Sequence, residues 1–153
     1  MKEGTKKSQK RHNVVTFKPY EQDQIWLLPP SLGELIPSNH VVRLVNAVID
    51  GMDMAHLLRH YKGGGTSSYH PRMLLKALVY GYISKKYSSR SIEQACKENI
   101  CFMWLCGMQQ PDHNTLNRFR KHQLPDTVKT AFAHVLSLLA EHGYVRLHDH
   151  HVD

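Results

Sequence analysis

Residues 88–123 read SSRSIEQACKENICFMWLCGMQQPDHNTLNRFRKHQ, and the run divides into three pieces. The first, SSRSIEQACKEN, opens on serines suited to helix capping, and the Ser91-to-Gln94 spacing fits a capping box. Ile92, Ala95 and Cys96 give it an inward stripe. The second, ICFMWLCG, is a short apolar helix with Gly107 as its stop. The third begins at Pro111–Asp112. On a wheel of 100° per residue, Leu116 and Phe119 mark its buried side, and Asn114, Asn117, Arg118 and Lys121 fall opposite. Two short helices followed by a third with a polar outer face predict a helix-turn-helix-like unit, the kind that commonly lays its last helix in a major groove.

The chain on either side is read in the same way. Upstream, Pro71 suits the first residue of a helix running to about Lys85. Leu74, Leu75, Leu78, Val79 and Tyr82 make that helix apolar nearly all round, as a central helix would be. Arg72 and Lys76 share one face of it, a basic edge left for solvent or a ligand. KGGGTSS, residues 62–68, is a loop. It is no phosphate loop, because no strand precedes it and no Gly-Lys-Ser/Thr follows. Before it, Asp53 can cap a short helix through Arg59. Ser38 can cap a longer one on which Val41, Val42, Leu44, Val45, Val48 and Ile49 recur at helical spacing. Residues 14–37, with Pro19, Pro29, Pro30 and Pro37, predict an extended strap, and the basic, aperiodic residues 1–13 a flexible arm. Downstream, Pro125–Asp126 opens a helix whose stripe of Val128, Ala131, Phe132, Val135, Leu138 and Leu139 runs up to Gly143. From Tyr144 the texture alternates, so 144–153 reads as the first strand of something new. The expected architecture is therefore mainly α: an arm at 1–13, a helical domain at 14–143, and the start of a second domain at 144–153.

Charge narrows the function. The chain has 153 residues and a net charge of +7 with histidines neutral. No acidic residue lies between Asp53 and Glu93, whereas Arg59, Lys62, Arg72, Lys76, Lys85, Lys86 and Arg90 do. Lys2, Lys6, Lys7, Lys10 and Arg11 form a second set. Such a balance fits a polyanion, most simply nucleic acid, although a basic solvated surface would look the same. Within residues 113–121, Asn114 and Asn117 could pair with adenine edges and Arg118 with guanine. Lys121, His113 and Arg120 suit phosphates. Arg72, Lys76, Lys85, Lys86 and Arg90 are candidates for the DNA backbone.

Other classes are excluded or disfavoured. Cys96, Cys101 and Cys106, spaced five apart, match no zinc pattern and read as reduced thiols of a cytoplasmic protein. There is neither a secretory signal nor an apolar run long enough for a membrane span. The terminal VRLHDHHVD would place His148 and His150, or Asp149, His151 and Asp153, on one strand face. Imidazole and carboxylate in that arrangement suit zinc, but the run has no second shell to orient it.

YHPRMLLK, SSRSIEQACKEN and PDHNTLNRFR, within Tyr69–Lys121, resemble the N-terminal helical domain of bacterial insertion-sequence transposases of the DDE type. The upstream LLPPSLGELIPSNHVVRLVNAVID resembles the same proteins' opening segment. The resemblance implies a double-stranded DNA partner, the transposon ends, and a nucleoid-associated location. It also implies an RNase H-like catalytic domain after the helices, whose first strand ends in Val-Asp followed by Gly-Thr. HHVD would place that first catalytic, Mg2+-binding carboxylate at Asp153. No Gly-Thr follows, so the sequence as given predicts a binding part and not a cutting enzyme, with no cofactor of its own. The alternative within the same resemblance is a helical module that homo-oligomerises or docks, with ICFMWLC, including Met103 and Trp104, as a contact patch or as core.

Overall fold

A computed structural model describes Pro19, residues 21–23, 31–59, Tyr61, 69–122 and 125–143. The arm, most of the strap, the KGGGTSS loop and the strand expected at 144–153 lie outside these residues. Among the described residues a 3-10 turn at Leu32–Leu35 precedes seven helices and there is no strand. The helices are α1 (Val41–Asp50), α2 (Ala55–Leu58), α3 (Pro71–Ile83), α4 (Ser89–Glu98), α5 (Ile100–Leu105), α6 (His113–His122) and α7 (Pro125–Glu141).

The chain is organised around α3. Its first turn needs little capping, because Pro71 has no N–H to satisfy and His70 Nδ1 accepts from the Arg72 N–H at 3.1 Å. Nine of its thirteen residues are buried, which is why its hydrophobicity shows no clean single stripe. Helices α1, α4, α5, α6 and α7 all pack on it. Tyr82 departs from the expected inward set: it is 55 % exposed, on the side of α3 towards α7, where its ring meets Phe132 at 4.3 Å.

Helices α4 and α5 are joined by a single residue. Asn99 ends α4, and its side-chain oxygen accepts from the N–H groups of Cys101 (2.9 Å) and Phe102 (3.4 Å) to start α5. Gly107, at φ +54°, stops α5 as its sequence implied. The apolar run is core in part: Phe102, Leu105 and Cys106 are buried, Cys101 and Met103 half-buried, and Ile100 exposed. Trp104 is half-buried under the 3-10 turn, with its Nε1 only 3.2 Å from where a Cβ on Gly33 would stand. Arg43 fastens that turn, donating to the carbonyls of Gly33 (2.5 Å), Ile36 (2.7 Å) and Pro37 (3.0 Å) while its guanidinium lies over the Trp104 ring. Residues 32–35 of the expected extended strap are therefore helical.

Two caps differ from expectation. His40, not Ser38, caps α1, its Nδ1 accepting from Val42 N–H at 3.1 Å. The Ser91–Gln94 box does not form, because α4 starts at Ser89 and Ser91 is already inside it. Ser88 is the cap, its Oγ accepting from Ser91 N–H at 3.1 Å, and Gln94 turns to Glu98. Asp53 stands one residue before the cap position of α2, Met54, and its carboxylate accepts from the first helical N–H, that of Ala55, at 2.9 Å.

The α3–α4 turn has its own constraint. Lys85 adopts φ +61°. With it, the N–H groups of Lys86 and Lys85 reach back to the carbonyls of Gly81 (2.7 Å) and Tyr82 (3.1 Å), the bond pair of a Schellman closure with lysine where glycine is usual. Gly81 is needed for another reason: a Cβ there would stand 2.8 Å from the Ile92 side chain, so glycine sets how closely α4 approaches α3. The three cysteines are free, with Cys96 and Cys106 buried and their sulfurs 3.7 Å apart, and Cys101 half-buried.

Candidate nucleic-acid interface

Asp112 starts α6 by accepting from the Thr115 N–H at 2.6 Å, and this bond holds its carboxyl below the usual aspartate range. Leu116 and Phe119, 0 % and 3 % exposed, seat the helix on the core. Asn114, Asn117, Arg118, Arg120, Lys121 and His122 are exposed. The helix contains no acidic residue, so its outer face is uniformly basic or neutral.

Two tethers fix α6 against α4. Glu93 accepts from the His113 backbone N–H at 3.1 Å, and its carboxylate lies 2.7 Å from His113 Nδ1. The bond to His113 contributes most, and Lys97 helps, in lowering the Glu93 carboxyl from 4.5 to about 2. The second tether is Ser89 Oγ donating to Asn117 Oδ1 at 2.7 Å. Because the Glu93 pKa is depressed, its contribution to stability is complete above about 4.5 and disappears as pH falls through about 2. Thermal melts across that window should show a falling Tm, and Glu93→Gln should flatten the fall. An unchanged slope would mean that the tether carries no stability.

The sequence-derived candidates separate into two groups. Lys85, Arg90, Arg118 and Lys121 are exposed and Lys86 half-buried; none has an ion-pair partner among the described residues. Arg120 donates to the Tyr87 carbonyl at 3.2 Å. That bond and the Ser89–Asn117 bond bring the 84–88 turn and the start of α4 alongside α6. The second group is committed elsewhere. Arg72 donates to the carbonyls of Ile49 (2.5 Å), Asp50 (2.7 Å) and Met52 (3.2 Å) at the end of α1. Lys76, its side chain 12 % exposed, meets Asn46 Oδ1 at 2.7 Å and Asp50 at 2.6 Å. The expected basic edge of α3 is thus turned onto α1, where orphan carbonyls and the negative end of the helix dipole attract cations. His113 is held by Glu93. Asn117 has its amide oxygen engaged by Ser89, which leaves its NH2 as the outward group.

Sequence reading passed over Lys129. It lies on α7, yet it joins Lys86 and Arg120 at the rim of one cavity. Asp153 and the histidines of the terminal run lie outside the described residues. Among the described residues no group of three or more His, Cys, Asp or Glu side chains could hold a metal ion, and no helix is long and apolar enough to cross a membrane.

Comparison with known proteins bears on what such a surface serves. A family model described as a transposase domain (DUF772) matches residues 30–122. Searches of curated proteins and of solved structures returned no match. The matched interval is more than half of the 153 residues and contains all of α1 to α6. The helical unit that carries the exposed cations is therefore that domain, and the chain belongs to the DUF772 transposase-domain family.

Proposed function

We propose that this chain serves transposition by binding double-stranded DNA at the transposon ends, with α6 in the major groove. The observation that carries the reading is the outer face of α6. Asn114, Arg118 and Lys121 project from a helix whose other side is locked into the core, and no carboxylate on it opposes a polyanion. Arg118 can take a guanine edge in bidentate fashion, and Asn114 an adenine edge. Lys121, Arg120, Lys85, Lys86 and Arg90 are placed for phosphates on either side of the groove. Arg72, Lys76 and His113 are left out of the proposed surface, because α1 engages the first two and Glu93 the third.

The DDE assignment belongs to the same proposal. In it Asp153 is the first acidic residue for Mg2+ in the complete enzyme, and no DNA contact named here depends on it. The docking alternative keeps only a small surface in the ICFMWLC run, where Phe102, Leu105 and Cys106 are buried and Ile100 is the exposed apolar side chain. Self-association through another face remains part of the proposal, and solution mass with and without DNA measures it.

The test is affinity for an end sequence against scrambled duplex. Arg118→Ala should weaken binding to the end sequence by about 1–3 kcal/mol and leave scrambled DNA nearly unaffected. Wild-type affinity should fall steeply as salt rises, through release of counterions. Equal loss on both DNAs would make Arg118 a phosphate contact. Absence of duplex binding at low salt would overturn the reading.

A further inference from the structure

Between α3, the 84–88 turn, α6 and α7 lies a cavity of about 370 Å³, towards the lower end of the roughly 300–1,000 Å³ typical of small-ligand sites. Its walls combine two features. The first is aromatic. Tyr82 and Tyr87 are 55 % and 59 % exposed, and Tyr82 meets Tyr87 at 5.3 Å and Phe132 at 4.3 Å, both edge to face. The second is charge. Lys86 from the turn, Arg120 from α6 and Lys129 from α7 line the same space, with no acidic residue among the described lining side chains.

Each feature excludes a simple occupant. A purely apolar segment would desolvate three cations with nothing to oppose them. A simple anion would leave two tyrosine rings in water and gain nothing from them. A nucleotide satisfies both, since it has a π face for the rings and a phosphate for the cations. In a duplex those faces are covered by neighbouring base pairs, so only a base outside the stack can enter. Arg120 connects the cavity to the surface already described. It shares α6 with Arg118 and Lys121, and its bond to the Tyr87 carbonyl fixes the backbone that carries the rim tyrosine.

We infer that this cavity takes an unpaired nucleotide of a DNA strand, its base among Tyr82, Tyr87 and Phe132 and its phosphates on Lys86, Arg120 and Lys129. The inference deepens the duplex-binding reading, because the strand would continue from a duplex lying on α6. A strand supplies two flanking phosphates, which suits three cations spread over three elements better than a free mononucleotide does.

The probes are a labelled oligothymidylate, a blunt duplex, the same duplex with a thymidine tail, and thymidine monophosphate as competitor. Wild-type protein should bind the oligothymidylate and prefer the tailed to the blunt duplex. Tyr87→Ala and Lys129→Gln should each weaken oligothymidylate binding by roughly tenfold, the scale of losing one stacked base or its phosphate contact. Tyr87→Trp should retain it. Both sites are exposed, on a turn and on a helix surface, so an unchanged melting curve confirms the fold of each variant. Equal oligothymidylate binding by wild type and both variants, or no preference for the tail, would overturn the inference. So would thymidine monophosphate competing at the affinity of the oligomer, which would mark a free-nucleotide site. The two readings fail separately. A Tyr87-dependent oligothymidylate complex without duplex binding removes the role of α6 and keeps the cavity's ligand, and duplex binding with no tail preference does the reverse.

Discussion

Phe102→Ala should lower the unfolding free energy by about 3–5 kcal/mol, the range for emptying a fully buried aromatic site. The ring is 0 % exposed and lies 4.8 Å from that of Tyr80 on α3. Helix α5 has six residues, too few to persist without tertiary packing, and this ring is its largest anchor. The site has little freedom to collapse, because the Asn99 cap holds one end of α5 and the left-handed Gly107 the other. For a domain stabilised by about 5–15 kcal/mol in total the loss is severe. Urea unfolding measures it, and Phe102→Leu, which refills most of the space, should cost much less. A loss under about 1 kcal/mol would mean that α5 is not seated on α3 as described.

Arg72→Ala should destabilise the protein by about 2–3 kcal/mol, within the range for hydrogen bonds to a charged group, and leave DNA affinity unchanged. Its Nη1 donates to three carbonyls at and just beyond the end of α1, two of them partly buried, so truncation removes the donor that all three share. Arg72→Lys should recover only part of the loss, because the lysine nitrogen sits one bond closer to the backbone than the Nη1 that serves all three carbonyls. Chemical unfolding and duplex binding, measured on the same variants, separate the two roles. Weaker DNA binding with unchanged stability would return Arg72 to the interface.

This contrast shows what the sequence could and could not say about the site. Leu116 and Phe119 were legible as the buried side of α6, and the outward position of Asn114, Arg118 and Lys121 with them, because one helix's periodicity is a local property. The fate of Arg72 and Lys76 was not, since a wheel shows which residues share a face and not what lies against it. The end of α1, distant in sequence, decides it. The bonds of His113 to Glu93 and of Asn117 to Ser89 were illegible for the same reason, their partners lying on another helix. Tyr82 resembled core because aromatic residues at apolar spacing usually are core. Lys129 was passed over because it stands on a helix read for its apolar stripe. The existence of α1 to α7 was legible, but not that of the 3-10 turn at Leu32–Leu35, and caps were less so: a histidine nitrogen served α1 where a serine two residues earlier seemed suited.

Position 85 cannot be both relaxed and charged. Glycine would relieve the roughly 1–2 kcal/mol that a left-handed backbone costs a residue with a Cβ, and asparagine would relieve part of it, but neither carries a cation. Lysine keeps the charge at the edge of the α6 surface and leaves the turn less stable than it need be. The two demands pull in opposite directions under selection. A library of variants screened only for thermal stability should drift to glycine here, and one screened for capture of a polyanion should retain lysine. The residue recovered at 85 thus reports which pressure the chain was under.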